Sequence, residues 1–280
     1  MKQLLKIFNF YLNSSIHVSL AVVALQLVSC MTLNIHYDKN VLFFTFFASI
    51  TGYNFIKYSR LAKWHHLSLT ESLRVIQVFS MLSFVAMLYF MSKLEVKVLM
   101  TCIGLGSITV LYALPIFSSK QDVSSERLTL RSLKGVKIYV IALVWAGVAV
   151  LLPLFQTGET VSWDAGILLT QLFLFVIVIT LPFDIRDVKY DATSIATIPL
   201  KIGVKKTKIV GVLLLILFLL LEALKDKITS DTLVSLLVIS ILSGLLLLIS
   251  SEKQSKYYAS FGVESLPLLW LILLYCIKTY

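Results

Sequence analysis

Charge is what this sequence has least of. Only 14% of its 280 residues are Asp, Glu, Lys or Arg, against about 25% in an ordinary soluble domain. Acidic residues are scarcer still, 15 against 25 basic ones, and none occurs between Asp38 and Glu71. The three cysteines, Cys30, Cys102 and Cys276, stand alone inside apolar runs. With no CxxC and no Cys/His spacing, neither a disulfide framework nor a zinc site is expected. Strand-type alternation is absent too, which excludes a membrane β-barrel. What the chain has instead is apolar bulk: 58% hydrophobic residues and a mean hydropathy of +0.91. A water-soluble fold cannot hide that much apolar surface, so the chain is expected to be an all-α integral membrane protein.

Stretches near 20 residues long, enough for about 30 Å of hydrocarbon, fall at about 14–35, 40–58, 71–92, 95–116, 136–155, 163–182, 208–224, 231–250 and 260–278. Nine helices are therefore expected. A short interfacial helix precedes them, with Phe8, Phe10, Tyr11 and Leu12 beside Lys2 and Lys6. No soluble segment interrupts the spans, and residues 1–280 read as a single membrane domain. "LVSC" at Leu27–Cys30 has the form of a lipoprotein processing site, but eight further spans make a retained first helix the better expectation.

The net charge of +10 is topology signal rather than a nucleic-acid footprint. Of the 25 basic residues, only Lys39, Lys93, Lys97, Lys225, Lys227 and Lys278 fall on one set of helix ends. The positive-inside rule then places the N-terminus and the long connections after the second, fourth and sixth helices in the cytoplasm. A polar active face is expected there.

One stretch at that face is unusual. "TLPFDIRDVKYD", Thr180–Asp191, puts Asp184, Asp187 and Asp191 at i, i+3 and i+7, one face of a helix. Three stacked carboxylates repel, and the two remedies are a divalent cation or nearby Lys and Arg. By itself the spacing is compatible with solvated loop charges.

Context narrows it. "ATSIATIPLKIG" follows, ending in Thr197–Gly203. The whole stretch resembles the second aspartate-rich motif of the UbiA superfamily of intramembrane prenyltransferases, a DxxDxxxD run leading into a TLPxxLG-like turn. "LYALPIF" at Leu111–Phe117 and "LRSLKGVKIYVIALVWAGVAVLLP" at Leu130–Pro153 resemble that family's fourth-helix segment, basic loop and fifth helix. The resemblance implies a nine-helix bundle with a central cavity open to lipid. It also implies transfer of an isoprenoid group from a prenyl diphosphate to a lipophilic acceptor, such as an aromatic ring. Asp184, Asp187 and Asp191 would hold Mg²⁺, Lys137 matches a lysine at the start of the fifth helix, and Tyr112 matches a cavity tyrosine.

The family's first motif, NDxxDxxxD, is missing. Its place reads "TGYNFIKYSRLAKWHH": Asn54 fits the leading asparagine, but the aspartate positions hold Phe55, Tyr58 and Ala62. Only one Mg²⁺ site is then supported. Either Lys57, Arg60 and Lys63 meet the diphosphate in place of the first metal, or Lys57 and Arg60 neutralise the aspartates in a catalytically silent binding or assembly protein. A small-solute transporter is the third reading, though no clear broken helices support it. His65 and His66, being adjacent, do not share a helix face and read with Trp64 as an interfacial belt. Glu264, about five residues into the last helix, either lines the cavity or lies near the interface.

Overall fold

The computed structural model describes residues 2–58, 71–113, 135–189 and 197–279. Arg60, Lys63, His65, His66 and Asp191 lie outside them, as does the side chain of Tyr112. Every regular element among the described residues is helical. In chain order these are α1 (Lys2–Asn13), α2 (Ile16–Leu33), α3 (Lys39–Tyr58), α4 (Glu71–Met91), α5 (Val96–Ala113), α6 (Val136–Gln156), α7 (Trp163–Asp187), α8 (Ile198–Ile202), α9 (Val204–Leu220), α10 (Ser230–Ile249) and α11 (Leu266–Thr279). A 3₁₀ turn (Leu221–Leu224) closes α9, and a π-helical turn (Tyr258–Val263) leads into α11.

The nine long helices match the nine expected apolar stretches. Seven of them, among the described residues, are long and apolar enough to cross a membrane. The others are α3, diluted by Asn40, Asn54 and Lys57, and α5, whose apolar stretch is only Val96–Leu111. The chain is an integral membrane protein.

Helices α2, α6 and α7 form the centre. Ala21, Leu25, Ala142, Ala146, Ala149 and Leu172 are wholly buried, and the run of alanines lets the backbones approach closely. Around them α7 packs on α9, α9 on α10, α10 on α11 and α11 back on α2. Phe175, Phe218 and Trp270 pin α7, α9 and α11, with ring centroids 5.2–5.8 Å apart. On the outside α4 presents Val78 and Met81 and α5 presents Val96 and Ile103, all mostly exposed. Such faces suit lipid rather than water.

Gly211 sets the closest approach in the outer ring. A Cβ there would overlap Leu247 Cδ2 and come within 2.9 Å of Leu181 Cδ1, whereas one at Gly244 meets only Leu215 Cδ1 at 3.5 Å. Overpacking costs about 1–3 kcal/mol, and a helical Gly→Ala change returns about 1 kcal/mol of propensity. Gly211→Ala is therefore expected to destabilise and Gly244→Ala to stabilise slightly. Thermal unfolding in detergent reads both signs, and equal shifts would refute the packing account.

Candidate functional site

Helix α7 continues past Pro182 for more than a turn before ending at Asp187. A proline inside a helix removes one backbone donor, and here Gln254 Nε2 donates to the Pro182 carbonyl at 2.8 Å. That extension carries Asp184 and Asp187 on one face of a regular helix, as the sequence spacing requires.

Both described aspartates have cations on them. Asp184 is buried, and Lys137 Nζ, at the start of α6, donates to its Oδ1 at 3.3 Å. Asp187 is held by its neighbour Arg186 through both oxygens, Nε to Oδ1 at 2.7 Å and Nη2 to Oδ2 at 3.1 Å. The Arg186 guanidinium also lies 5.4 Å from the Phe183 ring centroid. Lys57, expected opposite the aspartates, makes no ion pair with Asp184 or Asp187: its Nζ donates to the Asn13 carbonyl at 3.2 Å, at the C-terminal end of α1. A cation is favoured there by the helix dipole.

Asn54, one turn before Lys57, is buried and fully engaged. Its Nδ2 donates to the Ser14 carbonyl at 3.0 Å and to Ser80 Oγ at 2.8 Å, while its Oδ1 accepts from Ser15 Oγ at 2.8 Å. Ser15 has φ 64, the left-handed conformation that breaks α1 from α2. Asn54 thus fastens α3 to that hinge and to α4, which sets where Lys57 stands.

The same end of the bundle holds a second polar group that the sequence left undecided. Glu264 follows the π-helical turn and faces Lys57 of α3 and Arg186 of α7 as its charged neighbours. Burial, and after it the charge of Glu264, pushes the Tyr11 hydroxyl up from its ordinary value, and Glu264 also faces Tyr53. His17 is buried beside the turn. Its Nε2 lies 3.1 Å from the Phe261 carbonyl, an obligate acceptor, so Nε2 carries the proton and Nδ1 accepts from the Tyr11 hydroxyl at 2.7 Å. The ring also stacks on Phe261. Only the positions of His17 and Glu264 as polar residues in apolar runs hinted at this cluster.

As for Mg²⁺, no group of three His, Cys, Asp or Glu among the described residues is arranged to hold a metal. Two carboxylates one turn apart are still a fitting donor set, because Mg²⁺ commonly takes one or two carboxylates and completes its shell from substrate phosphates and water.

No protein-family model and no curated protein matches the sequence. A solved structure from work on digeranylgeranylglyceryl phosphate synthase in membranes is similar over 97% of this chain and 96% of its own, with a TM-score of 0.54 at 18% identity. At that identity the likeness speaks for the fold. The chain has the fold of the UbiA-type membrane prenyltransferases.

Proposed function

We propose that this protein transfers an isoprenoid group from a prenyl diphosphate to a lipophilic acceptor at the end of the bundle where α7 presents its aspartates. The observation that carries this reading is the pair Asp184 and Asp187, one turn apart on α7 with Lys137 and Arg186 on them, in a fold shared with a prenyltransferase. Intramembrane carboxylates are costly and seldom idle. Asp184 and Asp187, joined by Asp191, would hold Mg²⁺, which when bound draws off negative charge from the departing diphosphate. Lys57, Lys137 and Arg60 would contact the diphosphate oxygens, and Arg186 would add a planar donor fork. Tyr112 would line the chamber. Asn54 enters as the fastening of Lys57 rather than as a ligand. Positive charge placed where negative charge develops is the main catalytic contribution of such a site. By the distribution of Lys and Arg, this end faces the cytoplasm.

The test is binding and turnover of radiolabelled prenyl diphosphates of several chain lengths by the purified chain in nanodiscs, with and without Mg²⁺. Asp187→Asn removes one charge-assisted contact, and its Mg²⁺-dependent affinity is expected to fall roughly 10- to 100-fold. A wild-type protein that neither binds nor turns over any of them would favour the catalytically silent reading.

A further inference from the structure

Transfer to a hydroxyl-bearing acceptor leaves a proton to be removed. The C1–O bond of the prenyl diphosphate breaks, and its electron pair leaves with the diphosphate. The acceptor oxygen supplies the pair for the new C–O bond and must shed its hydrogen to a base. The carboxylates on α7 are poorly placed for that role, since the same reading gives their oxygens to Mg²⁺, and without it Asp184 is paired with Lys137 and Asp187 with Arg186.

Glu264 differs. Among the described residues it is the carboxylate within the bundle at this end that makes neither an ion pair nor a side-chain hydrogen bond, although it is partly buried. The cations it faces are committed elsewhere, Lys57 to the Asn13 carbonyl and Arg186 to Asp187. Its position is also built. The π-helical turn, a local departure that recurs at functional sites, ends at Val263, and the Phe261 carbonyl inside it is gripped three ways. His17 Nε2 donates to it, as do the backbone N–H of Ser265 at 3.0 Å and Ser265 Oγ at 2.6 Å. The groups facing Glu264 from each neighbouring element are Tyr11 of α1, Tyr53 and Lys57 of α3 and Arg186 of α7, with His17 of α2 beside its turn.

We propose, resting on the prenyl-transfer reading above, that Glu264 is the proton acceptor for a hydroxyl-bearing acceptor substrate, held between Lys57 and Arg186 by the His17-clamped π turn. The acceptor hydroxyl donates to a Glu264 oxygen while its own oxygen is turned toward the prenyl C1. After bond formation the proton resides on Glu264 and leaves to water at the mouth. His17 acts as a positioning residue.

The experiment uses the full chain in nanodiscs, with radiolabelled geranylgeranyl diphosphate and Mg²⁺ as donor, and hexadecanol and a long-chain alkylphenol as acceptor probes. Glu264→Gln is expected to keep diphosphate binding within about threefold of wild type while transfer falls roughly 100-fold, the upper end for removal of a positioned base being larger still. Glu264→Asp is expected to recover part of the transfer. His17→Ala should lower transfer less, and it reports whether the turn holds the carboxylate. Unchanged transfer by Glu264→Gln, or a loss of binding as large as the loss of transfer, would overturn the assignment. If wild type transfers to neither probe, dicyclohexylcarbodiimide decides at pH 7, because it modifies membrane carboxyls that take up a proton. An adduct mapped to Glu264 by mass spectrometry, and not to Asp184 or Asp187, supports the assignment, and its absence overturns it. Failure of wild type to bind the diphosphate would instead remove the prenyl-transfer reading itself, so the two failures are told apart.

Discussion

Lys225→Met is expected to lower the stability of the folded protein by about 3–5 kcal/mol, the cost of leaving one member of a buried ion pair without its partner. The 3₁₀ turn Leu221–Leu224 that closes α9 brings residues three apart into register. Lys225 Nζ then meets Glu222 Oε2 at 2.6 Å, with both side chains 2% exposed. Gln171 of α7 bridges to the same oxygen at 3.0 Å and to the Phe218 carbonyl at 3.1 Å. Glu222 Oε1 and Gln171 Oε1 have no hydrogen-bond partner among the described residues, so the network is satisfied on one side only. Removing the ammonium strands a carboxylate in a nearly dry, low-dielectric setting. Removing both charges does not: Lys225→Met with Glu222→Met is expected to regain most of the loss, because apolar replacement of a whole buried pair is often neutral or stabilising. Unfolding free energies from steric trapping in bicelles give both values. A Lys225→Met protein within about 1 kcal/mol of wild type would mean that water or relaxation reaches the pair. Gln171 of this network stands 13 residues before Asp184 on α7, about 20 Å along the helix, so the double variant should leave diphosphate binding unchanged.

The helices were readable because lipid demands one thing of a backbone, that it satisfy its own hydrogen bonds. Nine apolar stretches of the required length are enough to place nine helices. Their ends were less legible. The apolar stretch of α7 ends at Pro182, yet the helix runs to Asp187, since the proline costs only one backbone bond, that to the Val178 carbonyl one turn back, and a single such loss does not end a helix. Helix α9 was expected from 208 and begins at Val204, because Lys205, Lys206 and Lys208 read as a loop although their backbones close a helical turn. At the site, the DxxDxxxD spacing located Asp184 and Asp187, but not which cations meet them. Lys137 lies 47 residues away from Asp184 in the chain and Arg186 is the immediate neighbour of Asp187, while the sequence pointed to Lys57, which meets the Asn13 carbonyl instead, and to Arg60, outside the described residues. Tertiary proximity of that kind leaves no periodic trace. The π turn before Glu264 leaves none either. Nothing in "YYASFGVES" announces the extra residue in the turn, although a glutamate so near the mouth of an apolar helix was a visible anomaly.

Lys137→Met is expected to lower prenyl transfer roughly 10²- to 10³-fold, the range measured when one preorganised donor is taken from developing negative charge. Lys137 holds Asp184 at 3.3 Å with its side chain 39% exposed, so it is tethered to the α7 face while its ammonium remains open to a ligand. An ammonium has three donors, and the contact to Asp184 uses one. Two roles for Lys137 would each reduce activity: meeting the diphosphate, or only keeping Asp184 in place. They separate in a double-mutant cycle read by binding of inorganic diphosphate without Mg²⁺. If Lys137 meets the ligand, Lys137→Met weakens binding by roughly tenfold in the wild-type and the Asp184→Asn backgrounds alike. If it only neutralises Asp184, the substitution has no effect once Asp184→Asn has removed the charge. Lys137→Arg keeps the positive charge but exchanges a compact ammonium for a planar fork, and is expected to hold affinity within a few-fold while losing part of the rate. The coupling of Lys137 to Asp184 thus decides whether the charges on α7 are a structural lattice or a clamp waiting for diphosphate.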